Sequence, residues 1–537
     1  MQADLLLLNG NIHTMDPRHP RARAVAVAGC RILDVGDDAA LRLLLRPGAQ
    51  VVDLEGRTVI PGLTDAHVHF GGYSVARYQQ QVDLDNVPTR AEAAARVAEC
   101  ARTMPAGRWI QGGGWNRNIW PDPAFPTAAD LDVAAPDHPV ALEDKSRHAT
   151  WVNSRALELA SITAATENPP GGEILRGASG QPTGILLETA AGLVYDAIPD
   201  PDLDTMIQAL RQGVAHAQRL GLTGIHDPGH PTVLAALQVL RMREELGLRA
   251  LVHIPRDGLD HAIGLGLRSG LGDRYVRLGG LKIFADGALG PRTAHMLAPY
   301  EGTTDNFGLP TLNADELRNL VCRAHGAGLS VTAHAIGDAA NRAVLDAIEY
   351  AQGIRLKVPQ ATHPILPDRI EHVQLLHADD VARLAQLGVV ASMQPIHATS
   401  DMEMAERYWG PRCGLSYAWR SLLENDTCLA FGSDCPIETL DPLAGIHAAV
   451  TRQSTDGRPG PEGWITAQRL TVAEAVHAYT LGAAHASGEA SEKGSLTSGK
   501  LADLIVLSHD IFRVDPTEML RARVEMTVLD GRIVYGD

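Results

Sequence analysis

The sequence predicts an α/β protein: a (β/α)8 TIM-like barrel, a small β-sandwich domain built from both termini, and an insertion after the first barrel strand. Three observations predict it. Apolar strand-like runs ending in polar residues recur through the middle of the chain, amphipathic Ala/Leu-rich segments lie between several of them, and both ends carry short strands broken by turns. A doubly wound open sheet is the structural alternative.

Taken in order, the first sixty residues read as strands in ADLLLLNG, ARAVAVAG, CRILDVGD and VVDLEGRTVI, and the last forty in ADLIVLS and VEMTVLDGRIVYGD. We expect 1–60 with 491–537 to form the small β domain and 61–490 the barrel. The barrel strands are read in TVIPGLTDAHVH, LTGIHD, ALVHIP, GLKIFADG, LSVTAHAIGD, RIEHVQ, VVASMQP and CLAFGSD. Segments such as TMIQALRQGVAHAQRLG and ADELRNLVCRAHGAG suit helices closed by glycine. The gap after the first strand is too long for a crossover, and residues 85–205, with Gly- and Pro-rich patches, are read as an inserted subdomain or lid. It holds Trp109, Trp115, Trp120 and Trp151, which suit either a pocket wall or the insertion's own core.

Composition bounds the function. With 45% apolar and 21% charged residues, the 537-residue chain has ample material for a sizeable core. A net charge of −17, from 47 basic against 64 acidic residues, argues against nucleic acid or an anionic membrane as the main partner. The six cysteines are scattered and form no CxxC pair, so neither a disulfide scaffold nor a cysteine zinc site is indicated and a reducing compartment fits. The N-terminal run lacks a basic segment, and no stretch approaches the ~20 apolar residues of a membrane span, so a cytoplasmic location is expected.

The polar residues at the strand ends carry the chemistry: His67 and His69 on the first strand, Lys282 on the fourth, His334 on the fifth, His372 on the sixth and Asp434 on the eighth. Residues two apart on an extended strand share a face, so His67 and His69 can both address one point. Imidazole is a common neutral metal ligand. An isolated HxH says little, but joined by histidines at two later strand ends and an aspartate at the last it points to a metal site. Lys282 is the unusual member, because an ammonium repels divalent cations and has no lone pair. Burial beside positive charge would lower its pKa and let it react with CO2, giving a carbamate whose two oxygens can bridge two metals. Pairing of Lys282 with Asp286 or another carboxylate is the alternative.

The motifs PGLTDAHVHF, GLKIFADGALG, VTAHAIGD, RIEHVQ and FGSDCP, in this order, resemble the amidohydrolase superfamily. More narrowly they resemble its family 3 branch of N-substituted formamide deformylase-like metal-dependent hydrolases. The resemblance extends to GGGW, HATWVNSRAL and GILLE in the insertion and to the tail GSLTSGKLADLIVL. It implies that His67, His69 and Asp434 hold a more buried metal, that His334 and His372 hold a more exposed one, and that Lys282 bridges both as a carbamate. It implies two divalent ions, zinc by default, and suggests a homodimer.

On this reading water held by the ions is largely hydroxide near neutrality, and Asp434 is the general base that returns the proton to a departing amine. The implied activity is hydrolysis of non-peptide C–N bonds, with N-acyl or N-formyl amines as substrates. The same site could instead attack an ester, lactone or cyclic amide, or deaminate a ring. A catalytically silent metal-binding scaffold is disfavoured because all six site positions are filled. Trp115 and His148 lie in insertion motifs and are read as substrate contacts or packing residues; the branch's usual DGH stands here as KSRHA. By strand alternation Arg369 and Glu371 should face away from His372 as a structural ion pair. Asp338 could hold the His334 ring or cap the following helix. His226, Asp227, Gln374 and Gln394 are further polar residues near strand ends, whereas His325, His377 and His485 read as ordinary surface or packing residues.

Overall fold

The computed structural model describes residues 2–78, 82–145, 149–169, 171–355 and 366–536. Eight parallel strands follow one another in chain order: β1 (Leu63–Asp65), β2 (Leu222–Asp227), β3 (Arg249–Pro255), β4 (Val276–Phe284), β5 (Val331–Ala335), β6 (Arg369–His372), β7 (Val390–Met393) and β8 (Leu429–Phe431). Strands such as β2, β6 and β7 are buried along their whole length, which is why they read as apolar runs rather than alternating ones. Beyond the ladders, the Ala66 N–H donates to the Phe431 carbonyl at 2.9 Å and the Asp434 N–H to the His67 carbonyl at 2.7 Å, drawing β8 to β1. That approach requires Gly432, where an added Cβ would sit 2.4 Å from the His67 backbone nitrogen.

The accompanying helices include α1 (Leu203–Arg219), α2 (Pro231–Met242), α3 (Ala314–Gly326), α4 (Asp338–Arg355), α5 (Pro395–Trp409) and α6 (Pro442–Thr451). Asn313 and Glu316 form a capping box at the start of α3, each satisfying backbone N–H groups that the helix leaves open. Proline at the first position sets the start of α5 and of α6. At α5 this fixes where His397 and Asp401, four residues apart and on one face, leave the end of β7.

Both termini build the β-sandwich. A four-stranded sheet orders Arg31–Gly36, Ala24–Ala28, Ala3–Leu8 and Leu45–Asp53; a six-stranded sheet orders Arg532–Tyr535, Val524–Leu529, Leu504–Leu507, Thr58–Pro61, Asn11–His13 and Arg21–Ala22. Leu5, Val25 and Val27 of the first pack with Val59, Leu504 and Val528 of the second in one buried cluster. Leu504–Leu507 pairs antiparallel with Thr58–Pro61, so the two ends of the chain share a sheet. Arg249, buried on β3, donates to Asp503 at 2.7 and 2.8 Å and to Asp530 at 2.9 Å, tying the barrel to that sheet.

Residues 74–205 form a compact unit of their own, and 1–73 with 206–537 the other. The inserted unit is built on a mixed six-stranded sheet in the order Gly172–Arg176, Pro182–Glu188, Ala149–Val152, Val140–Asp144, Ile110–Trp115 and Val82–Asp83. Trp115, Trp120 and Trp151 stack and abut at its centre, with ring centroids 6.0, 6.1 and 6.4 Å apart. Among the described residues, no helix is long and apolar enough to cross a membrane.

Candidate metal centre

The C-terminal ends of the barrel strands bring the expected side chains to one cavity of about 340 Å³, whose wall includes His67, His69, Lys282, His334, His372 and Asp434. One ligand atom each from His67, His372 and Asp434 lies within 4.8 Å of the others. Asp434 Oδ1 is 3.4 Å from His67 Nε2 and 3.3 Å from His69 Nε2. It is buried and accepts no hydrogen bond, although a desolvated carboxylate oxygen needs a donor or a cation. The His334 ring meets His372 edge-on, centroids 4.5 Å apart. This donor set fits a divalent metal ion.

The second nitrogen of each central imidazole is already engaged. His67 Nδ1 lies 2.8 Å from Glu371 Oε2, in an approach too bent for a full hydrogen bond, and leaves Nε2 toward Asp434. His372 Nδ1 donates to Gln394 Oε1 at 2.8 Å, freeing Nε2. His334 Nε2 donates to the Gly287 carbonyl at 3.0 Å, freeing Nδ1. Holding one ring nitrogen by an outer partner sets the tautomer and aims the other at a metal. Burial, with Lys282 next, lowers the His334 imidazole to about 4. Burial together with His334 holds His372 well below the usual histidine range. Both rings are therefore neutral near pH 7, the form that offers a lone pair.

Burial lowers Lys282 to about 8, with Glu371 and Asp434 opposing and Arg369 reinforcing. Among the described residues its Nζ makes no hydrogen bond or ion pair, and it sits 4.9 Å from the centre of the Phe284 ring. Pairing with Asp286 is not observed. That carboxylate instead accepts the backbone N–H groups of His295 at 2.9 Å, Ile336 at 3.0 Å and Gly337 at 2.8 Å, pinning the loops after β4 and β5.

Several other readings hold, and the substrate-contact reading of Trp115 is corrected. Glu371 pairs with Arg369 at 2.6 Å, as read from alternation, but it also reaches His67; burial opposes its ionised form, yet Arg369 and His67 hold it well below the usual carboxylate range. Trp115 is 1% exposed and donates its indole N–H to the Leu142 carbonyl at 2.9 Å, so it is a core residue of the insertion with no face left for a substrate. His148 lies outside the described residues. Asp338 accepts the N–H groups of Leu297 at 2.8 Å and Ala339 at 3.0 Å, which makes it a cap and loop tie. Asp227 accepts from Phe70 at 2.9 Å and Gly229 at 2.8 Å, and His226 Nδ1 meets the Arg369 guanidinium at 2.9 Å. His325, read as ordinary, is buried with Nε2 2.9 Å from Asp368, a packing role.

Sequence reasoning missed His397, Asp401 and Glu438, all of which line the cavity. His397 Nε2 stands 3.7 Å from Asp434 Oδ2, the oxygen turned away from His67 and His69. The signal was QPIHATSD, a polar first turn of a helix directly after a barrel strand. It also missed Asp65, whose carboxylate accepts the His67 N–H at 3.1 Å and the Ser433 N–H at 3.0 Å, locking the ends of β1 and β8 together.

A parallel barrel that gathers neutral imidazoles and a carboxylate at its C-terminal strand ends defines a metal-dependent hydrolase. Residues 50–535 match the Amidohydrolase family. The Protein LONG AFTER FAR-RED 3 of Arabidopsis thaliana is 34% identical over 555 residues, covering 99% of this chain and 92% of its own. The N-substituted formamide deformylase of Arthrobacter pascens is 32% identical over 552 residues, covering 99% and 98%. An uncharacterized metal-dependent hydrolase from Pyrococcus furiosus, known from its crystal structure, has a TM-score of 0.80 at 28% identity over 95% of this chain and 100% of that one. The chain belongs to the amidohydrolase family.

Proposed function

We propose that this protein hydrolyses the amide bond of N-acyl or N-formyl amines at a centre of two divalent ions, zinc by default. The observation that carries the reading is that His334 and His372 each hydrogen-bond one ring nitrogen to an outer acceptor, leaving the other for a metal, while His67 turns Nδ1 toward Glu371 and Nε2 toward Asp434. Bound ions would supply Lewis acidity toward a carbonyl and a water acidic enough to ionise near neutrality. His67, His69 and Asp434 would hold one ion, and His334 and His372 the other. Lys282 would lie between them as a carbamate. In its formation the neutral Nζ attacks CO2, an N–C bond forms, and one proton leaves the nitrogen. The unpaired Nζ, lowered to about 8, supports that step.

Asp434 divides its oxygens. Oδ1 faces His67 and His69, while Oδ2 faces His397 and stays available to take the nucleophile's proton and deliver it to the leaving nitrogen. The relative from Arthrobacter pascens, named as a deformylase of N-substituted formamides, supports an amide as the scissile group.

The test is amine release by zinc-loaded protein across N-formyl, N-acetyl and longer N-acyl amines, with esters and lactones alongside and Asp434→Ala as control. Amide cleavage that disappears in Asp434→Ala is expected. Cleavage confined to esters or lactones, or unchanged in the variant, would overturn the proposal.

A further inference from the structure

Part of the cavity wall is made by residues that hold no metal in the reading above. Gln374, two residues beyond His372, is 4% exposed, and its Oε1 has no hydrogen-bond partner. Its Nε2 faces His397 Nδ1 at 3.3 Å, which leaves the carbonyl oxygen as an unused acceptor. Asp401 follows His397 by one helical turn of α5, and Glu438 follows Asp434 by four residues; both line the same cavity. Tyr417 donates its hydroxyl to Asp401 Oδ2 at 2.6 Å and fixes that carboxylate by one oxygen. The tyrosine is itself anchored through its carbonyl by Arg452 at 3.1 Å, a guanidinium buried against Trp419.

Among the described residues no lysine or arginine pairs with Asp401 or Glu438. Two carboxylates and a buried amide carbonyl thus share one wall without a positive partner. Asp401 accepts from Tyr417 and Glu438 from Ser400, so each half-buried carboxylate keeps room for a further donor, whereas Gln374 Oε1 is buried with none, which is costly unless a donor reaches it. A metal ion is the wrong occupant. Neither Asp401 nor Glu438 belongs to a close group of three metal-ligand atoms among the described residues.

We infer that Gln374, Asp401 and Glu438 form a subsite for a positively charged amino group carried on the amine portion of the substrate. The preferred substrates are then mono-N-acylated diamines rather than neutral or anionic amides. Spacing supports this. His397 stands beside Asp434 Oδ2, and Asp401 lies one turn further on, roughly 6 Å along the helix. A chain of about four carbons between amide nitrogen and ammonium covers such a distance. Phe284, Leu289 and Ile437 in the cavity wall give that chain apolar surface to lie on.

This inference rests on the amide-hydrolase reading, and its test separates the two. Zinc-loaded protein is assayed with N-(4-aminobutyl)acetamide and with N-pentylacetamide, which replaces the ammonium by a methyl group. The expected preference for the cationic amide is about ten-fold or more in kcat/KM, carried mainly by KM. In Asp401→Asn and in Glu438→Gln the ratio falls toward one, and added salt lowers it in the wild type. Independently of turnover, calorimetry compares pentylamine with 1-pentanol. The ammonium is expected to bind about ten-fold or more tightly, with the difference shrinking in either variant.

Hydrolysis of neither amide would refute the amide-hydrolase reading, while the calorimetry would still decide the subsite. Equal binding of pentylamine and pentanol, or a preference that both isosteric variants leave unchanged, would overturn the inference.

Discussion

Gln394 offers the sharpest test of how the centre is prepared. Its Oε1 accepts from His372 Nδ1 at 2.8 Å, both residues are buried, and its Nε2 makes no hydrogen bond, so Gln394→Met removes one interaction at similar volume. Without that acceptor the Nδ1–H is a buried unsatisfied donor, at a cost of about 1–3 kcal/mol. The ring can escape by moving its proton to Nε2, but that is the nitrogen facing the centre, and its lone pair is then lost. Either outcome weakens metal binding. Loss of an outer partner of a ligand imidazole typically costs about 10–100-fold in affinity, or ~1.4–2.7 kcal/mol. Zinc competition against a chromophoric chelator reads this directly, and urea unfolding of the metal-free protein monitors the fold. Gln394→Glu keeps the acceptor and should keep the affinity. A folded Gln394→Met protein that binds zinc within two-fold of wild type would refute the claim that this contact fixes the tautomer of His372.

Three further outcomes are expected. Arg249→Met should destabilise the protein by about 3–5 kcal/mol in urea unfolding, because Asp503 is left buried without its cation and Asp530 keeps only Arg274. Gly432→Ala should lower the melting temperature, with a cost of about 1–3 kcal/mol, and reduce bound metal by elemental analysis, since its Cβ meets the His67 backbone rather than a side chain that could move. His13, buried in the β-sandwich, is lowered from 6.5 to about 4 by burial first and Arg21 next. The unfolded chain therefore binds more protons than the folded one between those values. The His13 contribution to stability should be level above about pH 6.5 and decline by up to ~3 kcal/mol as pH falls toward 4. His13→Gln should flatten that acid limb.

The candidate ligand residues were legible because each interrupts an apolar strand at its C-terminal end, where a barrel directs side chains into its mouth. The outer partners were not, for reasons that differ residue by residue. Alternation places Glu371 opposite His372, but His372 sits at φ 77° and Val373 at φ 43°, so the strand rule fails at the residue where it was applied. Glu371 therefore points into the barrel beneath His67 while His372 turns to the cavity. His397 and Asp401 lie on a helix that begins immediately after β7, and nothing local distinguishes a polar first turn facing a cavity from one facing solvent. For Trp115 the sequence left a substrate contact and a packing role open, and the packing role holds: GGGW forms an inner strand of the insertion's sheet and buries the ring.

The backbone at the centre accepts conformations that most side chains avoid. His372, Val373 and Asp434 all have positive φ, and a β-branched residue in that region is a true outlier, each such residue costing about 1–3 kcal/mol. Strain persists only where surrounding contacts over-determine it. Here they do: the Val373 N–H donates to the Ala335 carbonyl at 3.1 Å, and the Asp434 N–H to the His67 carbonyl at 2.7 Å, while Asp65 holds the residue on either side of that second contact. These contacts involve main-chain groups and an aspartate that carries no candidate ligand atom, so they form whether or not a metal is present. The positions of His372 and Asp434 are then properties of the folded chain. Binding free energy need not be spent ordering them, and the affinity of the site should depend chiefly on the side-chain contacts that aim each imidazole.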